Sequence, residues 1–237
     1  MSDIGDRMKD NYERRYKHQL LRRTPAIVRV DGKAFHTFTR GMDKPFDQRF
    51  MTAMVDSARY VAGEMQGFKA AYIQSDEASF LITDYDTLAT EAWFDYGQSK
   101  IESVTASLMT AWFNKALHAD APARFDARAF SIPEAEVSNY FLWRALDWER
   151  NSVAMYCRSF FSHREMKGQG RADQHEMLHS IRKNWTTDLG FRERNGTFLL
   201  PDGLHDGALA ERMGILPNWA DIDSVIAPLL AIRDPTP

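Results

Sequence analysis

The order of the apolar segments is the feature that most restricts how this chain can fold. A β-branched run at 26–30 predicts a strand, and Asp47 can cap a following helix that ends near Gly67. Two further apolar runs flank the polar residues 74–77, a pattern that predicts two antiparallel strands joined by a tight turn. The first third of the chain is therefore predicted to be strand, helix, strand, strand.

Two more segments complete this pattern. Apolar residues at helical spacing predict a second helix over about 99–117, and 125–132 predicts another strand. The predicted buried face of this helix comprises Ile101, Val104, Leu108, Ala111 and Trp112. The whole order is that of the split βαβ, or ferredoxin-like, motif. It predicts an α+β fold with a palm-like antiparallel sheet and helices on one face.

The second half of the chain is predicted to be mainly helical. Ser131 and Glu134 have the spacing of a capping box, with Pro133 at the start of a long helix. Glycines within 168–170 interrupt two later helical stretches, and 192–200 is compatible with a small hairpin around Asn-Gly.

The end of the chain is rich in proline and acidic. Five of the nine prolines lie from Pro201 onward, where six acidic residues face two basic ones, so we expect a loosely packed tail. We expect residues 1–135 to form a palm-like catalytic domain. Residues 136–237 are then a helical region with a small hairpin and an acidic tail that packs with the palm as one unit.

Composition restricts the cell compartment. The chain has no run of about 18 apolar residues and no apolar centre of a secretory signal near its start, so we expect neither membrane insertion nor export. Its one cysteine, Cys157, excludes a disulfide framework and fits a buried thiol in a reducing cytoplasm.

Charge is unevenly distributed around a net value of −3. Residues 7–23 carry seven basic and two acidic side chains, and residues 158–194 carry eight against five. Such segments permit contacts with phosphates, and the solvated faces of two helices explain them equally well. His175 and His179 share a predicted helix face as exposed residues or RNA contacts, and no zinc pattern is present.

Three acidic residues stand at the ends of predicted strands. Asp31 follows the first strand, and Asp76 with Glu77 occupies the turn between the next two. If these strands are neighbours, the carboxylates converge at one edge of the sheet, where their repulsion favours a divalent cation. Oxygen ligands suit Mg²⁺, and two such ions activate a hydroxyl and neutralise a leaving phosphate. The alternative is a pair of ordinary solvated turns.

The loop after the first strand fits phosphate chemistry. Lys33, His36 and Lys44 have the charge to hold a triphosphate, and Gly32 lets the backbone approach a ligand or a metal. Phe35 is either a stacking partner for a base or an aromatic plug in the core. The sequence contains neither GxxxxGK[ST] nor GxGxxG, which argues against a P-loop or Rossmann site.

Five segments carry a resemblance to a known family: VRVDGKAFHTFT, DKPFD, YIQSDEASFLI, SKIESVTASLMTAWF and FDARAF. With them, the chain resembles the tRNA(His) guanylyltransferase family and its wider group of Thg1-like 3′–5′ polymerases over roughly residues 5–200. The resemblance implies a palm that activates a tRNA 5′-monophosphate with ATP and then adds a nucleotide through the 3′-hydroxyl of a nucleoside triphosphate. It also implies tRNA, ATP, GTP and other NTPs as partners, two Mg²⁺ ions, and a homotetramer.

The resemblance implies roles for individual residues. The metal ligands are Asp31, the carbonyl of Gly32, and Asp76, with Glu77 as an additional essential acid. The residues implied in nucleotide binding are Gly32, Lys33, Ala34, Phe35, His36, Lys44, Ser75, Lys100, Arg128 and Asn151.

One segment departs from the family pattern. Eukaryotic members that add the extra G to tRNA(His) carry His-Ile-Asn-Asn after W-R-x-x-D, where this chain has Glu149, Arg150, Asn151 and Ser152. Only Asn151 agrees, which favours templated repair of 5′-truncated tRNAs over untemplated G addition to tRNA(His). The segment is otherwise a helix terminus with Arg150 in an ion pair. A palm-shaped RNA- or nucleotide-binding module without activity is the third alternative.

Overall fold

The computed structural model describes residues 3–87, 89–119, 121–202 and 209–231. The strands are β1 Ala26–Gly32, β2 Phe68–Gln74, β3 Glu77–Ile82, β4 Phe125–Ser131, β5 Thr197–Pro201 and β6 Leu209–Arg212. The α-helices are α1 Ile4–Met8, α2 Phe35–Phe38, α3 Gln48–Glu64, α4 Gln98–Leu117, α5 Glu134–Arg158, α6 His163–Met166, α7 Arg171–Ser180, α8 Trp185–Asp188, α9 Phe191–Asn195 and α10 Trp219–Leu230. Short π-helical or 3-10 segments are Lys9–Glu13, Arg14–Tyr16 and Trp93–Tyr96.

Within the described residues, the six strands form one antiparallel sheet in the order β4-β1-β3-β2-β5-β6. The part from β4 to β2, with α3 and α4 as the connecting helices, has the ferredoxin-like arrangement, so the predicted α+β palm-like class is confirmed. β5 comes from the second half of the chain and pairs with β2 through Tyr72 and Phe198. The division at residue 135 stays a prediction.

Side chains alternate between the two faces of the sheet and build two cores. Val28 and Phe80 pack beneath α3 and α4, whereas Ile27 and Leu81 pack beneath α5 and α10. The helices of the palm therefore lie on one face, and the helical second half covers the other. Asp47 caps α3 as predicted, because its carboxylate accepts hydrogen bonds from the first backbone N–H groups of that helix.

The buried stripe of α4 agrees with the prediction at Ile101, and the predicted Val104 and Leu108 pack partly buried against the same core, but its other members differ. It consists of residues four apart: Ile101, Thr105, Met109 and Phe113. Thr105 is buried although it is polar, because its hydroxyl donates to the carbonyl of Ile101 at 2.7 Å. Ala111, a predicted member of this face, is exposed. A pattern read from apolar residues alone misses a threonine that satisfies its own hydroxyl.

The start of α5 also differs in detail. The helix begins after Pro133, as predicted, but without the capping box. The hydroxyl of Ser131 instead accepts a hydrogen bond from the N–H of Leu21 at 2.8 Å, which ties the N-terminal segment to the end of β4. A hydrogen bond to Leu21, which is distant in sequence, therefore takes the place of the predicted capping box.

The predicted hairpin at 192–200 is wrong. Residues Phe191–Asn195 form α9, Gly196 turns the chain with φ +71°, and β5 pairs with β2 and β6. A Cβ at Gly196 would lie 2.8 Å from the carbonyl oxygen of Ile73, so glycine is required where the chain enters the sheet. The Asn-Gly pair marks a helix-to-strand turn.

The predicted loose packing of the tail is wrong for residues 209–231. β6 pairs with β5, and α10 buries Ile222, Ile226 and Leu230 in the core beneath α5. The four-residue spacing of these side chains indicates a helix, but Pro228 within it and the other prolines obscured that signal. The remaining tail positions, 203–208 and 232–237, lie outside the described residues.

Cys157, near the end of α5, is buried with Val153 and Leu178 as predicted, and burial raises the pKa of its thiol. The small helices that follow α5 also agree with the prediction. A break at 168–170 separates α6 from α7. Among the helices in the described part of the chain, none is long and apolar enough to cross a membrane.

Candidate active site

The turn between β2 and β3 brings acidic residues to the end of β1. Ser75 and Asp76 form the predicted tight turn, with Ser75 at φ +47°. Asp31 lies opposite Glu77 in the register of β1 and β3, and the N–H of Gly32 donates to the carbonyl of Asp76 at 3.1 Å. The three acidic residues therefore meet at one end of the sheet, as the strand order predicts.

Asp31 and Asp76 form the open anionic part of this site. Desolvation raises the pKa of Asp76, and repulsion from the nearby carboxylates of Asp31 and Glu77 raises it further. Hydrogen bonds from Ser75 and from its own backbone act in the opposite direction. The Asp31 side chain is 40% exposed, and the half-buried Asp76 lines both cavities beside it. A bound cation would relieve the repulsion between them.

Glu77 is not part of that open pair. Arg144 of α5 donates from Nε to Oε1 at 2.7 Å and from Nη2 to Oε2 at 2.8 Å, and both side chains are nearly buried. Arg144 also contacts Asp147 at 3.1 Å. A bidentate pair of this kind neutralises the carboxylate. Of the three predicted acids, Asp31 and Asp76 therefore remain open to the site, while Glu77, which still repels Asp76, is held by an arginine.

The residues that remain fit a hard cation. Within the described part of the chain, no group of three or more His, Cys, Asp or Glu side chains is arranged around a metal position. Asp31, Asp76 and the backbone carbonyl of Gly32 supply oxygen only. A set with so few protein ligands suits Mg²⁺, which keeps several waters and takes further ligands from phosphates.

A cleft of about 1060 Å³ lies beside Asp76, between the loop after β1 and the C-terminal part of α5. Its lining includes Gly32, Ala34, Phe35, His36, Lys44, Phe46, Ser75, Asp76, Trp148, Met155, Arg158 and Phe160. A second cavity of about 210 Å³ shares part of this lining and adds Asp31, Glu77, Arg144 and Asn151. The larger volume is at the upper end of the range for small-molecule sites and accommodates a nucleotide.

Helix α5 forms one wall of the cleft because it extends past the end of the sheet. Arg144 contacts Glu77 at the strand end, and the helix continues to Arg158, about 21 Å further at 1.5 Å per residue. The ring of Trp148 packs edge-on against Phe46 at 5.9 Å, which joins this wall to the loop opposite.

The ring of Phe35 is packed in the hydrophobic core and is not open for stacking on a base. Phe35 is 4% exposed, and its ring lies 4.9 Å from that of Phe125 and 5.0 Å from that of Phe38. A Cβ on Gly32 would lie only 2.3 Å from the Phe35 ring. The glycine after Asp31 is therefore required by packing as well as by any ligand.

The other residues implied in nucleotide binding fall into two groups. Arg128 is brought to the site, with Nη2 4.0 Å from Oδ2 of Asp31. Lys33 and Lys100 are in neither of the two cavity linings, which lie within the described residues. Lys100 is at the start of α4, whose Gln98 contacts Ala129, whereas Asp31 pairs with the opposite end of β4. Their nucleotide roles stay predictions.

The segment that departs from the family pattern lies inside α5, not at a helix terminus. Arg150 forms an ion pair with Asp147, as the simpler interpretation predicts. Glu149 pairs with Arg171 at 2.8 Å, and Asn151 lines the smaller cavity. Only Asn151 among these residues therefore faces the acidic site.

Two functional candidates, Arg144 and Arg158, are not predicted from the sequence. Arg144 stands on the apolar stripe of α5 with Phe141 and Trp148, and a charged residue at such a position signals a buried ion pair. Arg158 lines both cavities and has no ion-pair partner among the residues that the structure describes. Nothing local in the sequence distinguishes Arg158 from other surface arginines.

Comparisons with known proteins agree with this geometry. The family model described as "Thg1: tRNAHis guanylyltransferase" matches residues 5–133. The tRNA(His) guanylyltransferase of Schizosaccharomyces pombe is 32% identical over 190 residues, which cover 71% of each chain. A bacterial tRNA(His) guanylyltransferase (Thg1)-like protein, solved in complex with ATP, is 39% identical with a TM-score of 0.83 and covers 89% of this chain and 92% of that one. Such a protein in complex with GTP is 35% identical with a TM-score of 0.77 and covers 95% and 98%.

Fold, site and relatives together define a nucleotidyltransferase with a palm-like catalytic sheet. This places the protein in tRNA nucleotide addition. The chain belongs to the tRNA(His) guanylyltransferase family. Membership of an enzyme family removes the alternative of a palm-shaped binding module without activity.

Proposed function

We propose that this protein adds nucleotides to the 5′ end of tRNA in the 3′–5′ direction, choosing each one by pairing with the opposing strand, and so repairs 5′-truncated tRNAs. The observation that carries the proposal is the convergence of Asp31 and Asp76 beside a cleft large enough for a nucleotide. The solved relatives in complex with ATP and with GTP support the same use of the cleft.

The reaction has two displacements at phosphorus. First, an oxygen of the tRNA 5′-monophosphate attacks the α-phosphorus of ATP, and pyrophosphate leaves. Second, the 3′-hydroxyl of the incoming nucleoside triphosphate loses its proton and attacks the activated 5′-phosphate, and AMP leaves. Both steps bring several phosphates together, so positioning and charge neutralisation provide most of the catalysis.

The residues of this chain have separate tasks in that scheme. Lys44 and Arg158 line the cleft and neutralise the charge of the triphosphate. The side chain of Ser75 donates a hydrogen bond to the Asp76 carboxylate in the turn. Asp31, Asp76 and the carbonyl of Gly32 would hold Mg²⁺. When bound, Mg²⁺ lowers the pKa of an attacking hydroxyl and offsets charge on the leaving phosphate.

Arg144 and Arg128 act as positioning residues in this scheme. Arg144 fixes Glu77 through two hydrogen bonds, which orients the strand end from which the Asp76 turn projects. Arg128 lies 4.0 Å from Asp31 and restrains that carboxylate on its open side. Both guanidinium groups therefore shape the acidic site.

Untemplated G addition to tRNA(His) is the second candidate function. The similarity to the Schizosaccharomyces pombe tRNA(His) guanylyltransferase favours it. Residues 149–152 favour the templated reaction, since the motif of eukaryotic G-adding members is replaced there apart from Asn151. The resemblance also predicts a homotetramer, which sedimentation analysis of the purified protein tests.

The deciding experiment uses tRNAs that lack their first nucleotide, supplied with ATP, Mg²⁺ and one nucleoside triphosphate at a time. The opposing base near the 3′ end is changed to each of the four bases, and full-length tRNA is the control. The proposal predicts that the added nucleotide follows the opposing base. Addition of G to tRNA(His) regardless of that base would instead establish the second candidate.

A further inference from the structure

An exposed tryptophan stands next to the arginine that holds Glu77. Trp143 of α5 is 52% exposed. Its ring centroid lies 4.4 Å from the Cζ atom of Arg144 and 6.0 Å from that of Arg29. A large apolar ring that is half exposed beside two guanidinium groups offers part of its surface to a ligand in a positively charged environment.

The surroundings of this ring are fixed. Tyr140 packs edge-on against Trp143 at 5.8 Å, and its hydroxyl is hydrogen-bonded to that of Ser79 at 2.9 Å. Arg144 is held by Glu77 on the other side. The buried Nε of Arg29 has no hydrogen-bond partner among the described residues. Trp143 is therefore a supported ring that is still 52% exposed.

The position of Trp143 relates it to the acidic site. Arg29 and Asp31 are two residues apart on β1 and face the same side of the sheet, which separates them by about 7 Å along the strand. Arg128, opposite Arg29 in the register with β4, lies on the same face. Through Arg29, the Trp143 ring is therefore close to the acidic end of β1.

We propose that Trp143 is a stacking platform for a nucleobase at the acceptor end of the tRNA. This inference rests on the proposed function and names how the same site holds its RNA. Aromatic rings beside cationic grooves bind bases of every type through their faces, while flanking arginines contact the phosphates. Arg29, whose Nε has no hydrogen-bond partner among the described residues, provides that complementary charge beside the ring, which selects RNA as the occupant of this surface.

A binding assay tests the inference without any catalytic step. The probe is a 5′-phosphorylated RNA acceptor-stem minihelix with a single-stranded 3′ end, measured by fluorescence anisotropy with no nucleotide present. Trp143→Ala should raise Kd about tenfold or more, since stacking on one aromatic ring contributes on this scale. Trp143→Phe should retain most of the affinity because it keeps an aromatic face.

Trp219 supplies a matched control. It is likewise 52% exposed but lies on α10, so Trp219→Ala should bind the minihelix like the unmodified protein. The salt dependence gives a second control. Trp143 neutralises no phosphate, so the slope of log Kd against log salt should be unchanged in Trp143→Ala.

Three results would overturn the inference. Equal minihelix affinity of Trp143→Ala and the unmodified protein would remove the stacking role. A shift of Trp143→Ala to a smaller assembly in sedimentation would instead make this surface, which continues to the 43% exposed Leu146, a contact between copies of the chain. Equal weakening by Trp143→Phe and Trp143→Ala would also contradict it.

The assay separates this inference from the proposed function. If the unmodified protein binds the minihelix through Trp143 but adds no nucleotide to truncated tRNA, the proposed reaction fails and the stacking surface stands. If it adds nucleotides by template while Trp143→Ala changes neither Kd nor KM for tRNA, the reaction stands and the stacking surface fails.

Discussion

Arg144 donates two hydrogen bonds to Glu77, at 2.7 and 2.8 Å, and thereby joins α5 to the strand that follows the catalytic turn. The Arg144 side chain is 8% exposed and that of Glu77 is 11% exposed, so water screens the pair poorly. This contact sets the distance between the helix wall of the cleft and the acidic end of the sheet. It also leaves Asp31 and Asp76 as the open carboxylates.

Breaking this ion pair from one side should lower stability strongly. Arg144→Met leaves Glu77 charged in a nearly buried place, and such losses cost about 3–5 kcal/mol. The free energy of unfolding from urea titration measures the effect. The double variant Arg144→Met/Glu77→Gln should recover part of the loss, because no uncompensated charge remains. A urea midpoint unchanged in Arg144→Met would show that the pair contributes little.

Two glycines four residues apart should respond to alanine in opposite directions. Gly67 has φ +77°, and a Cβ there would lie 1.9 Å from the carbonyl oxygen of Thr83. Gly67→Ala should therefore lower the free energy of unfolding by at least about 2 kcal/mol. Gly63 is exposed within α3 with nothing within 4 Å, so Gly63→Ala should gain about 0.5–1 kcal/mol. Urea titration of both variants tests this, and a stabilised Gly67→Ala would contradict the turn geometry.

His175 should make stability depend on pH. Desolvation lowers its pKa, and repulsion from Arg171 and His179 lowers it further. The unfolded chain therefore binds the proton more readily, so stability is retained above the unfolded pKa of about 6.5 and is lost as pH falls below it. The urea midpoint should fall less between pH 7.5 and 5.5 in His175→Gln than in the unmodified protein. Identical falls in the two proteins would contradict this.

Lys44 should act on triphosphate binding rather than on the fold. Lys44 lines the cleft, and its ammonium group donates to the carbonyl of Thr39 at 3.3 Å, a long hydrogen bond that a phosphate can replace. Lys44→Ala should raise KM for the incoming nucleotide about tenfold or more, the scale of one charge-assisted hydrogen bond. Lys115→Ala, at an exposed lysine that stacks on Trp112, is the control. If both variants have the KM of the unmodified protein, the role of Lys44 is wrong.

Much of the fold follows from the sequence because its periodicities are local. The strands at Ala26 and Phe68 alternate between two cores, and the spacing of apolar residues in α3 is that of a helix. The sequence pattern does not predict that α10 packs on the core, because Pro228 and neighbouring prolines suggest a break in the helix. Burial of Ile222 and Ile226 stabilises the helix more than the proline destabilises it, so tertiary contacts determine the structure of this segment.

The site was predictable only in part. Strand order is enough to bring Asp31 to Asp76, since both lie at the same end of adjacent strands. The partner of Glu77 is not predictable from local pattern, because Arg144 lies 67 positions later in the chain. The phosphate role of Lys100 stays a prediction, since it comes from its motif alone and α4 begins near Ala129, away from the end of β4 that pairs with Asp31.

The most direct test of the central claim replaces Asp31 or Asp76 by asparagine and measures tRNA 5′-adenylylation and nucleotide addition separately. Asparagine keeps the size of the side chain and removes the charge that would hold Mg²⁺. Each variant should lose about a thousandfold or more of the rate of both steps, without a lower urea midpoint. Asp56→Asn, an exposed acid on α3, should behave like the unmodified protein. Full activity of either Asp31→Asn or Asp76→Asn would contradict the account.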